Sequence, residues 1–208
     1  MGTTWEDVAW EIAHAEEAWQ EAVKDIKEEA IIEFGEERYK AFFISNPEMH
    51  LTALEILNES EKLLNNQHFS ASVIYSFTAI ENILRDLILR PLVWGTFIDE
   101  EVAGLITDSV LNNRIDQMSK FIFHFIKECT GLDLRKITRS NQSIPLWQEI
   151  NELRLLRNHI IHKGIKCDED SAVRALETAK HLYNDIFLIV LSTADLKIDL
   201  KNRITHKG

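Results

Sequence analysis

Cysteine, proline and glycine are all scarce in this 208-residue sequence, and each shortage excludes something. Two cysteines, Cys129 and Cys167, are too few for a disulfide framework. Three prolines and seven glycines leave long stretches without a breaker, which favours helices over a turn-rich β architecture. No apolar run reaches the roughly 18 residues that a membrane-spanning helix needs. The start of the chain, with Trp5-Glu6-Asp7, lacks the basic-then-apolar order of a signal peptide, so a cytoplasmic protein is expected. Phosphate-cradling glycine loops are missing, and neither cysteine sits in a strand–helix setting, so nucleotide hydrolysis and nucleophilic catalysis are not expected.

What is present is an ordinary globular composition carrying an uneven charge. Apolar residues make up 45% and charged residues 27%, which argues against general disorder. The net charge of -11 is distributed in blocks: -11 over residues 1–66, -4 over 67–112, +5 over 113–166 and -1 over 167–208. Overall acidity therefore does not exclude an anionic ligand, provided that it binds within the one basic block.

Apolar residues recur three or four apart through most of the chain. The stripe Trp5, Val8, Ile12, Trp19, Val23 and Ile26 predicts a long acidic amphipathic helix over about 3–34, ended by Gly35 and packed on this bundle or on a second copy. Ser45-Asn46-Pro47 reads as the start of a second helix, about 47–66. A strongly apolar helix follows over about 69–90, closed by Pro91 and Gly95, and shorter helices are expected at 98–111 and 113–128. Residues 130–142 read as a loop carrying Arg135, Lys136 and Arg139. A helix over 143–162 ends at Gly164, and a last one covers 170–191. The expected fold class is all-α: a four- to five-helix bundle (47–192), an acidic helical extension (1–46) and a polar C-terminal tail (193–208).

One charge stands on the wrong face. With Arg154 at 0° and roughly 100° per residue, Leu146, Ile150, Leu153, Leu156 and Ile160 fall in an arc of roughly 200–320°. Arg157 falls inside that arc, whereas Arg154, Asn158 and His162 follow one another along a neighbouring polar ridge. An inward guanidinium needs a carboxylate, a phosphate or a wet cleft, since an unpaired buried charge costs about several kcal/mol. Glu81 shares a face with Ile74, Phe77, Leu84 and Ile88, so it too points inward, and a Glu81–Arg157 pair is expected.

The run Arg157-Asn158-His159-Ile160-Ile161-His162 resembles the Arg-x4-6-His signature of HEPN domains, including the polar residue after the arginine. The core helix Tyr75-Ser76-Phe77-Thr78-Ala79-Ile80-Glu81-Asn82 is also similar to an early helix of that superfamily, and the resemblance covers residues 47–192. It implies a HEPN-like bundle acting as a metal-independent endoribonuclease, as a homodimer, in a toxin–antitoxin or antiviral setting with a cognate antitoxin as a possible partner. Arg157, Asn158 and His162 would be catalytic and no cofactor is needed.

The side-chain chemistry agrees with that implication. RNA supplies its own 2′-hydroxyl nucleophile, an imidazole serves as general acid or base, and a guanidinium neutralises phosphate oxygens. Arg154, Lys163, Lys166, Arg135, Lys136 and Arg139 are candidate RNA-backbone contacts. Two rival readings compete with this one. One takes His159, His162, Cys167 and Asp168 as metal ligands, although a second ligand pair is lacking. Alternatively the domain binds RNA or protein without catalysis, with His162 stabilising a helix C-terminus. The acidic N-terminal face could also compete with RNA for the basic block.

Overall fold

The computed structural model describes residues 33–95, 101–102, 115–140 and 142–207, together with positions 14, 19–21, 23 and 24. The described chain is mostly helical, as expected, and none of its helices is long and apolar enough to cross a membrane. Most of the predicted helix 98–111 lies outside the described residues.

Helical residues 33–45 form α1. Gly35 lies inside this helix and does not end it; the stop comes at Asn46, whose Nδ2 donates to the Phe42 carbonyl. Asn46 and Pro47 therefore terminate one helix and do not start the next, and α2 begins only at Leu51, running to Asn65. The boundary drawn at residue 46 also fails on burial. Phe43 is fully buried in the common core with Phe42 beside it, so α1 belongs to the bundle. Most of the predicted helix 3–34 lies outside the described residues; Trp19, expected to pack on the bundle or on a second copy, is 70% exposed in the single chain.

The central element, α3 (Phe69–Asn82), continues without a break through a π-helical stretch, Ile83–Leu89, into Arg90–Gly95. Pro91 was expected to close the helix, because it has no N–H to donate. The chain passes it by widening: the Arg90 N–H donates to the Arg85 carbonyl, five residues back. Gly95 then allows close approach to α1, since a Cβ there would stand 3.4 Å from the Tyr39 nitrogen. On the opposite flank α3 meets α2 through small polar residues. Ser60 Oγ donates to the Ser72 carbonyl at 2.9 Å and lies 2.7 Å from Ser76 Oγ, so these buried hydroxyls are satisfied.

The remaining helices complete the bundle. α4 is Ile115–Thr130, α5 is Leu146–Lys163, and α6 is Glu169–His181, extended through π-helical Leu182–Phe187 into Leu188–Thr193. α3 packs on α2, α5 and α6 around a core that includes Phe77, Ile80, Leu84, Leu153 and Phe187.

The expected polar tail contains a hairpin. Strands β1 (Leu196–Ile198) and β2 (Ile204–His206) pair antiparallel, and Leu196 and Ile204 are buried. The Ile204 N–H also donates to the Pro47 carbonyl at 2.8 Å, tying the hairpin to the turn before α2. Three-residue strands are too short to show alternation, which is why a polar reading prevailed.

Candidate functional site

Two local devices fix the position of α5. At its N-terminus the orphan N–H groups of Leu146 and Trp147 donate to the carbonyls of Ile137 and Leu134, so the preceding loop is laced to the helix start. At its C-terminus Gly164 adopts φ 65° and its N–H donates to the Ile160 carbonyl, the left-handed stop that the sequence suggests.

Between α3 and α5 lies an open cleft of about 500 Å³. Phe77, Ile80 and Leu84 of α3 form an apolar wall, and Glu81 interrupts it. From α5 come Trp147, Asn151, Arg154, Leu155, Arg157, Asn158 and His162. All three motif residues therefore share one concavity with Arg154.

The expected pair is present: Arg157 Nη2 donates to Glu81 Oε2 at 3.3 Å. Both side chains remain reachable, at 28% and 33% exposed, so the guanidinium is not sealed away as scaffolding. Arg157 Nη1 donates to Asn158 Oδ1 at 3.0 Å, and its guanidinium lies 5.8 Å from the centre of the Phe77 ring. Asn158, expected among the catalytic residues, steadies the arginine in this structure. Arg157 Nε is buried without a partner among the described residues. His162, the last residue but one of α5, is exposed, and its ring makes no hydrogen bond to another described residue.

The other expected RNA contacts divide. Arg135 borders an adjoining groove of about 450 Å³ that shares Trp147, Asn151 and Leu155 with the cleft. There it forms a fork on Asp133, at 2.8 Å through both Nε and Nη2, and these hydrogen bonds, helped by that of the Arg135 N–H, hold the Asp133 carboxyl down at about 2. Lys136, Lys163 and Lys166 are exposed and line neither space.

Arg139 is a correction. It is 8% exposed and donates to Glu149 through Nε at 2.9 Å and Nη2 at 2.8 Å, and to Glu177 through Nη1 at 3.0 Å. Glu149, fully buried, also accepts from Arg174 at 3.0 Å. Burial alone would raise the Glu149 carboxyl, but the bonds from Arg139 and Arg174 outweigh it and hold the group below the ordinary carboxylate value. Arg139 has its donors committed to this cluster and does not belong to an RNA surface. Its partner was legible, because Glu149 falls at roughly 220° on the α5 wheel, inside the core arc.

The sequence reading missed Trp147, Asn151 and Leu155 as cleft residues. They fall on the same ridge as Asn158 and His162, and Leu155 is 55% exposed despite being apolar. Of the rival metal ligands, Asp168 is the N-cap of α6, its Oδ1 accepting from the Ser171 N–H at 2.9 Å, and the Cys167 N–H donates to Ser70 Oγ. Among the described residues no cluster of three or more His, Cys, Asp or Glu side chains is placed to hold a metal ion. No protein-family model, curated protein or solved structure significantly matches this chain.

Proposed function

We propose that the chain is a HEPN-like, metal-independent endoribonuclease that cleaves RNA by attack of the 2′-hydroxyl. The observation that carries the reading is the joint exposure of Arg157 and His162 in a single open cleft of about 500 Å³. In this mechanism Arg157 holds the non-bridging phosphate oxygens as charge builds, Asn158 keeps the guanidinium oriented, and His162 moves a proton. The products are a 2′,3′-cyclic phosphate and a 5′-hydroxyl. Arg154 in the cleft and Arg135 in the adjoining groove guide the backbone, with the exposed Lys136, Lys163 and Lys166 as further contacts. A two-fold dimer that brings two motif helices together, a cytoplasmic location and an antitoxin or antiviral context complete the proposal.

The Glu81–Arg157 pair favours one alternative, a non-catalytic module binding RNA or protein, because it already gives the arginine a partner. Incubating the wild type, Arg157→Ala and His162→Ala with total RNA in EDTA separates the two. The nuclease reading expects cleavage by the wild type to exceed that of either variant by about 10²–10⁴-fold. Equal residual cleavage by all three leaves only the binding module.

A further inference from the structure

We propose that Glu81 is the general base of the cleft, taking the 2′-hydroxyl proton while His162 of the same chain gives one to the departing 5′-oxygen. The inference rests on the ribonuclease reading and supplies what the Arg–His motif lacks. In-line displacement benefits from both a base and an acid, and Arg157 and His162 provide only one proton-transfer group per chain.

Glu81 is the other group in the cleft able to move a proton, and its geometry fits the task. It engages Arg157 through Oε2 alone. Its second oxygen, Oε1, accepts no hydrogen bond from a described residue and is not a buried orphan, so it is open to the cleft. A phosphate on the Nη groups of Arg157 would sit about 2.7–2.9 Å from them. The attacking 2′-oxygen stands about 3–3.5 Å from phosphorus. Glu81, 3.3 Å from the same guanidinium, shares the cleft with the phosphate that Arg157 would hold, and the proposal sets its free Oε1 on the attacking hydroxyl.

The step balances without a co-reactant. The O2′–phosphorus bond forms as the phosphorus–O5′ bond breaks. One proton passes from the 2′-hydroxyl to Glu81 Oε1, and another from the His162 imidazolium to the 5′-oxygen. Proton exchange with water then resets both groups. The charged and titratable groups facing Glu81 are Arg154, Arg157 and His162 from α5 and Arg85 from its own helix; among the described residues, α2 and α6 contribute none to the cleft.

A carboxylate base with an imidazole acid places the two limbs of a pH profile in different ranges, whereas two imidazoles place both in one. The test is kcat/KM against pH on an RNA oligonucleotide for the full-length wild type, E81Q, E81D and H162A, with thermal melts alongside. Glu81→Gln should lower kcat by about 10²–10⁴-fold and erase the acid limb, and E81D should restore activity in part and bring the limb back. If Glu81 only positions Arg157, E81Q raises KM and keeps the wild-type profile, which overturns the proposal. Should E81Q fail to fold, E81D decides: the limb must persist while kcat falls, and unchanged kcat overturns the assignment. A wild type that leaves RNA intact overturns both this inference and the ribonuclease reading, whereas an active wild type with an unaffected E81Q overturns this inference alone.

Discussion

Two arginines, Arg139 and Arg157, lie in the same basic block and have opposite fates. Arg139 is clamped between Glu149 and Glu177, while Arg157 keeps part of its fork open to a cleft. Removing Arg139 leaves the buried Glu149 with Arg174 as its remaining cation, so Arg139→Met should cost toward the low end of about 3–5 kcal/mol in denaturant unfolding. Lys136→Ala, on the same loop but exposed, should stay within about 0.5 kcal/mol. Equal effects would contradict the buried cluster. Titration adds a signature. The Glu149 carboxyl is depressed in the folded state, so its stabilisation is present above the ordinary carboxylate range and is lost as pH falls through the folded value; Glu149→Gln should flatten that acid limb of stability. His50 acts at higher pH. It is fully buried with both ring nitrogens unpartnered, and burial lowers its pKa, so the unfolded chain takes up the proton first. Stability should fall as pH drops through the imidazole range, and His50→Leu should remove that slope in melts across it. The Glu81–Arg157 pair was legible because each residue breaks an apolar stripe on its own helix. At Glu149 the inward carboxylate was legible but its cation was not, because Arg139 arrives from a loop and Glu177 from α6, and no local spacing says which cation meets it.

At the scale of elements, helical periodicity identified α2 to α6, while punctuation misplaced several ends and hid α1. Gly164 stops α5 as read, since only a residue tolerant of positive φ fits there; Gly35 and Pro91 do not stop theirs. A glycine inside a helix costs only about 1 kcal/mol, which the packed Phe42 and Phe43 of α1 offset. Proline is accommodated by a π-helical register that no propensity scale encodes. Gly164→Ala should therefore destabilise by about 1 kcal/mol through backbone strain alone, because a Cβ there meets nothing within 4 Å. The hairpin carries its own test: Ile204→Ala should cost about 2–5 kcal/mol by calorimetry or denaturant if β2 seals the core. A change near zero would mean that residues 196–206 are an ornament.

For the whole molecule, the sign of the net charge is a poor guide to function. The chain is acidic, yet the cleft gathers Arg154, Arg157 and His162 beside an aromatic and apolar wall. That convergence was legible in part, because the α5 ridge aligned Arg154, Asn158 and His162. The floor from α3, Trp147 and the groove leading to Arg135 depend on how two helices cross, which a single-helix wheel does not contain. The most direct measurement compares an RNA oligonucleotide with its all-deoxy counterpart under EDTA, reading both binding and product ends. The account predicts that both strands bind, that only the RNA is cut, and that its fragments end in a 2′,3′-cyclic phosphate and a 5′-hydroxyl. Intact RNA, or equal cutting of the DNA, would contradict it.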